Sequence, residues 1–272
     1  AYCLKTMKQN GVASYHRYLK WILSDAVDDD LILYNPYKKF EIKTEKTENR
    51  NLSLEEIQKI KDYKPKLIIP RKGQPIPDPR LTMVRDVFIL QFCLAGINTK
   101  DLFYLRPTDL SQGRLKYKRS KTGRFYNIKV HPEALSIIQK YKGENYLLRF
   151  ADFCQEERKP GNKIHSRKSP FQWKDQDAFG KSINSGLEII CKELFPEKPV
   201  VTGYFIRHSV ASILRSQRIS VSDIAVILGH KEPGHAVTGT YVNEEYAHYD
   251  TILKDLIDLL YQVKEETLDF QI

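Results

Sequence analysis

A mainly α chain with one small antiparallel sheet, an α+β fold in two parts, is what these 272 residues predict. Three observations carry that expectation. Apolar residues recur at helical spacing in segment after segment, and one stretch alternates on either side of a Lys-Thr-Gly turn. A charged run nearly free of apolar residues separates the first helix from the rest. A hydrophobic share of 41% is enough for real cores.

Taken in order, Val12 to Leu31 carries Tyr15, Tyr18, Leu19, Ile22, Leu23, Ala26 and Val27 at helical spacing, with Asn35-Pro36 as its stop. Lys38 to Arg50 reads as a solvated linker, which puts a boundary near residue 48. Ser53-Leu54-Glu55-Glu56 is a capping box that opens the next helix. Thr82 to Ala95 is apolar on nearly every side and predicts a buried central helix. Arg114 to Val130 predicts a β-hairpin turning at Lys121-Thr122-Gly123. Phe179, Ile183, Leu187, Ile190 and Leu194 mark another helix, followed by Arg207–Gln217 and by Ser220–Leu228, which Gly229 ends. A last helix, about 250 to 266, carries Leu253, Leu256, Leu260 and Val263 on one face, suited either to a neighbouring subunit or to its own domain.

The formal charge of +10 points to a polyanion, nucleic acid ahead of a membrane surface. No run of about eighteen apolar residues predicts a bilayer span. Cys3, Cys93, Cys154 and Cys191 lie far apart, as in a reducing cytoplasm, without zinc-site or disulfide spacing. Ala1–Asn10 reads as the tail of a helix or loop from something larger, and no signal-peptide pattern follows it.

The chemistry concentrates between Gly203 and Tyr241. Arg207 opens a helix in Tyr204-Phe205-Ile206-Arg207-His208, His230 follows Leu228-Gly229, and Tyr241 closes Thr238-Gly239-Thr240-Tyr241. A guanidinium fork pairs two phosphate oxygens at once and stays protonated. A phenol delivered to that phosphate can attack it if cations make it reactive below its usual pKa of about 10. Each residue also has a plain structural reading. Arg207 suits an ion pair, His230 a contact at its helix end, and Tyr241 a core or surface position with Tyr246 and Tyr249 as rivals. Lys121 in its turn could simply be solvated. His235 lies near His230, but no carboxylate or thiol joins them at ligand spacing, so neither metal nor other cofactor is expected.

The order and spacing of Arg207, Leu228-Gly229-His230 and Thr238-x-x-Tyr241 resemble the C-terminal signature of the tyrosine recombinases, or phage integrase family. The resemblance covers nearly the whole chain: residues 1–47 as the last part of a helical core-binding domain with its linker, and 48–272 as the catalytic domain. It implies a metal-free recombinase of double-stranded DNA, associated with the bacterial nucleoid and acting as a tetramer on two duplexes. Tyr241 would form a 3′-phosphotyrosine, Arg207 and His230 would hold the phosphate, and Lys121 would protonate the leaving 5′ oxygen.

Two positions depart from the family pattern. Asn98, in Gly96-Ile97-Asn98, stands where an arginine is usual, as is similar in integrases of Bacteroides mobile elements. Arg119, two residues before Lys121 on a strand and so on the same face, is the candidate replacement. Tyr204 stands where a histidine or lysine is usual, and His208 or His230 could supply the base. Lys118, Arg124, Arg167 and Lys168 belong to two basic clusters expected to contact DNA, with Arg17 and Lys20 on the opposite jaw. Two rival readings remain open at this point: a DNA-binding protein of recombinase ancestry that no longer cuts, and a type IB topoisomerase.

Overall fold

The chain divides after Asn49 into two units, seen in a computed structural model that describes residues 7–46, 50–70, 73–153, 171–229 and 245–262. In the first unit, Gln9–Asp28 forms helix α1. It ends through Asp30, which takes the left-handed conformation at φ 57° while the Leu31 amide donates back to the Ala26 carbonyl at 2.9 Å. The stop therefore precedes Asn35-Pro36. Only Val12 and Ala13 of this helix are buried, and Tyr15, Tyr18 and Trp21 stay exposed. The following segment is not a free linker: Gln9 and Asn10 donate to the carbonyls of Lys43 and Glu45, and His16, Tyr37 and Phe40 form one ring cluster.

The second unit opens with α2 (Leu54–Asp62), and Ser53 and Glu56 close the expected capping box. A short hairpin of β1 (Leu67–Ile68) and β2 (Ile76–Pro77) leads to α3 (Pro79–Cys93), which Asp78 caps. Eleven residues of α3 are buried, as its all-round apolar sequence requires. Next come α4 (Thr99–Tyr104) and a three-stranded antiparallel sheet of β3 (Leu110–Ser111), β4 (Arg114–Lys118) and β5 (Phe125–Lys129), ordered β3-β4-β5. Then α5 (Pro132–Lys140), α6 (Gln176–Leu194), α7 (Phe205–Ser216), α8 (Val221–Ile227) and α9 (Glu245–Tyr261) follow.

Helix α3 is the hub, packed against α2, α5, α6 and α7. Gly186 brings α6 so close that a Cβ there would lie 2.5 Å from a methyl of Val84. The last helix is held by its own unit. Leu253, Leu256 and Leu260 are buried in the core, and Asp250 takes the guanidinium of Arg114 at 2.6 and 3.2 Å. Val263 lies outside the described residues. Among the described residues no helix is long and apolar enough to cross a membrane.

Candidate active site

Arg207 lies in the first turn of α7, and the packing of that helix decides where its side chain goes. Phe205, Ile206, Val210, Ile213 and Leu214 face the core. Ser209, fully buried, accepts from the Leu52 amide at 2.8 Å and donates to the Phe205 carbonyl at 2.8 Å, pinning the helix to the approach to α2. On the other side the chain leaves α3 through Ala95 and Gly96, both left-handed at φ 55° and 68°. A Cβ at Gly96 would fall 2.8 Å from the Arg207 Cα, so only glycine lets the two segments meet.

The guanidinium donates to the Gly96 carbonyl at 3.3 Å and to the Leu228 carbonyl. The phenol of Tyr126 on β5 donates to that same Leu228 carbonyl at 2.6 Å. Gly229, at φ 62°, ends α8 against the Tyr126 ring, where a side chain would collide with the hydroxyl. Four elements thus fix Arg207, and among the described residues no carboxylate neutralises it. An arginine held by backbone carbonyls keeps its charge and part of its fork for a ligand.

Arg207 opens onto a cleft of about 390 Å³. Arg119 and Tyr204 line it as well, together with Asn98, Thr99 and one face of α6. Arg119 and Arg207 both favour the ionised form of buried Tyr117, whose pKa is nevertheless raised well above the usual value by burial and then by Tyr126 and Asp101. Two guanidinium groups with no carboxylate partner among the described residues thus lie beside one phenol stack, in which Tyr117 and Tyr126 are 4.8 Å apart.

Lys121 does not line this cleft; it is exposed in the turn. Nor do Arg119 and Lys121 share a strand face. Strand β4 ends at Lys118, and Arg119 begins a turn closed by its carbonyl accepting from the Gly123 amide at 2.8 Å. Strand alternation no longer applies there, although Arg119 still reaches the cleft. Tyr204 is 58% exposed and lies edge-on to His208 at 4.7 Å. Partial desolvation of the largely exposed ring, then the charges of Arg207 and Arg50, hold the His208 pKa below its usual value, so its imidazole is neutral at neutral pH.

Asn98 has a structural task. Its side chain caps α4, accepting from the Asp101 amide at 2.8 Å and donating to the Asp101 carboxylate at 2.7 Å. The other oxygen of buried Asp101 accepts from the Ser120 amide at 2.9 Å, between Arg119 and Lys121. This carboxylate ties the turn to the mouth of the cleft, a role that only the Asn-x-x-Asp spacing hints at in the sequence. The polar face of α6 was equally unmarked.

The remaining expected contacts are spread out. Lys118 is exposed at the end of β4 and Arg124 is half-buried. Arg114, from the same basic cluster, is taken by Asp250. Arg17 is exposed on α1, whereas the Lys20 ammonium donates to the Lys38 carbonyl at 3.0 Å. His230, Tyr241, Arg167 and Lys168 lie outside the described residues. Tyr249 packs against the core, and the Arg114 guanidinium lies 5.7 Å from the ring centre of Tyr246. Among the described residues no three His, Cys, Asp or Glu side chains gather as a metal would need.

Solved structures share this architecture. A dimer of lambda integrase bound to a COC′ core site superposes with a TM-score of 0.57 at 16% identity, over 91% of this chain and 75% of that one. The Tn1549 transposon integrase in complex with circular intermediate DNA gives 0.56 at 14% identity, over 91% and 80%. A lambda integrase tetramer bound to a Holliday junction gives 0.57 at 16% identity, over 86% of this chain and 62% of that one. No protein-family model and no curated protein matches the sequence. The fold of this chain, mainly helical with small antiparallel sheets, is the fold of those integrases.

Proposed function

We propose that this chain is a tyrosine recombinase that cuts and rejoins DNA at specific sites of a mobile element. The observation that carries the reading is the cleft in which Arg119 and Arg207 converge without an acidic partner among the described residues. A phosphodiester is anionic and repels nucleophiles, so its attack needs fixed cations that strengthen their hold as charge develops. Sequence continuity adds His230, two residues beyond the Leu228 carbonyl that Arg207 holds.

In this mechanism Arg207, Arg119 and His230 bind the non-bridging oxygens. The Tyr241 oxygen attacks phosphorus, its proton passing to the imidazole of His230 or His208. The bond to the 5′ oxygen breaks as Lys121 gives that oxygen a proton. A 3′-phosphotyrosine and a 5′-hydroxyl result. The hydroxyl of a partner strand then reverses the step, so the bond energy is kept and no metal or ATP is consumed. Residues 1–47 act as part of a core-binding domain, residues 48–272 form the catalytic domain, and protomers assemble on two duplexes.

Arg119→Ala tests the replacement for the missing arginine. Strand cleavage of a nicked duplex should slow by roughly 100-fold, the usual cost of removing one transition-state donor, while duplex binding at low salt changes little. Unchanged cleavage would remove Arg119 from the site. A second reading, a DNA-binding protein that no longer cuts, draws on Asn98, whose side chain is committed to Asp101.

A further inference from the structure

We infer that Lys181 on α6 is a third cation for the phosphate in the cleft, beside Arg119 and Arg207. The inference rests on the recombinase reading above. Asp177, Gly180, Lys181 and Asn184 all line the cleft, and their spacing places them on one face of α6. The opposite face, Phe179, Ile183, Leu187 and Ile190, is buried. The close approach at Gly186 fixes that rotation, so the polar face has no freedom to turn away. At Gly180 a Cβ would just touch the Thr99 methyl at 3.9 Å, so α6 and the start of α4 face each other across the cleft.

Electrostatics favour an anion there. The lining carries three cations, Arg119, Lys181 and Arg207, against the single carboxylate of Asp177. Asp177 accepts from Gln176 and forms no ion pair with Lys181, although the two are one turn apart. Asn184 spends its side-chain oxygen on the Gly203 amide at 3.0 Å, leaving its amide donors on the same wall. Asn98, by contrast, brings no charge and gives its oxygen and one amide hydrogen to Asp101. A flexible ammonium from the facing helix can reach a phosphate that a short neutral amide cannot charge-pair.

The test uses the full chain and nicked duplexes recovered from a randomised pool by covalent capture with the unaltered protein. The cleaved position is mapped, and the same duplex is remade with a neutral methylphosphonate there. Lys181→Ala should slow covalent capture on the phosphodiester roughly 10- to 100-fold, with the loss shrinking to within about threefold on the methylphosphonate. Lys181→Arg should keep most of the rate. Lys192→Ala, on the same helix and paired with Glu188 at 2.7 Å, should leave both rates unchanged. Equal rates for Lys181→Ala and the unaltered chain would overturn the inference alone, as would an equal loss on both linkages, which would mark a purely structural role. If the unaltered chain captures no duplex at all, the recombinase reading falls and takes this inference with it.

Discussion

Asp101 shows how one buried side chain serves both the fold and the site. It completes the Asn98 cap of α4 and holds the Ser120 amide, one bond to each carboxylate oxygen. Asp101→Ala strands those donors and should cost roughly 2–3 kcal/mol in a urea titration, with a larger proportional loss in strand cleavage because the turn bearing Arg119 and Lys121 comes loose. Cleavage that falls no further than stability explains would separate Asp101 from the site. His208 makes a pH prediction. Its pKa is lowered on folding by burial and by Arg207 and Arg50, so the unfolded chain binds the proton more readily. Stability from this group is complete above the unfolded value of about 6.5 and declines as the pH falls through it toward the folded value. His208→Gln should flatten the stability curve between about pH 7 and 5; an unchanged curve would deny the shift.

The elements show which contacts dominate. Helix α9 is held by apolar burial, with the Arg114–Asp250 pair fixing its start. Leu256→Ala should cost roughly 2–5 kcal/mol in the isolated protomer, because a fully buried leucine leaves a cavity. A cost under about 1 kcal/mol would mean that the stripe is completed by another subunit. The long helices were legible in the sequence because a 3.6-residue apolar period needs no tertiary information, and the capping box at Ser53 and the stop at Gly229 sit where their chemistry placed them. The hairpin was legible for the same reason. Helices α4 and α5, and strands β1 to β3, are too short to show a period. On α1 the apolar stripe was legible as a helix, but the burial it implied did not follow, since Tyr15, Tyr18 and Trp21 are exposed. In the site, Arg207 was visible because it sits at a helix start, and Tyr204 only through the resemblance to the recombinase pattern. Arg119 was found by strand alternation, which stops one residue before it. The wall formed by α6 was invisible, since a polar helical face reads as solvent until its neighbours are known.

At the scale of the whole molecule, the charge of +10 and the cleft belong to one account. In the proposed function, excess Lys and Arg would draw the chain to DNA, and the cleft would single out one phosphate within that footprint. Some of the excess is structural, as Arg114 and Lys20 show by their partners inside the protein. The likeness to solved integrases is one of fold, a helical frame with small antiparallel sheets. Covalent trapping with Tyr241→Phe is the most direct measurement of the central claim. The unaltered chain incubated with nicked target duplex should yield a denaturation-resistant protein–DNA adduct through a 3′-phosphotyrosine, absent from the Tyr241→Phe protein even though that protein still binds the duplex. An adduct that persists in Tyr241→Phe would contradict the assignment of the nucleophile, and no adduct in either protein would contradict cleavage itself.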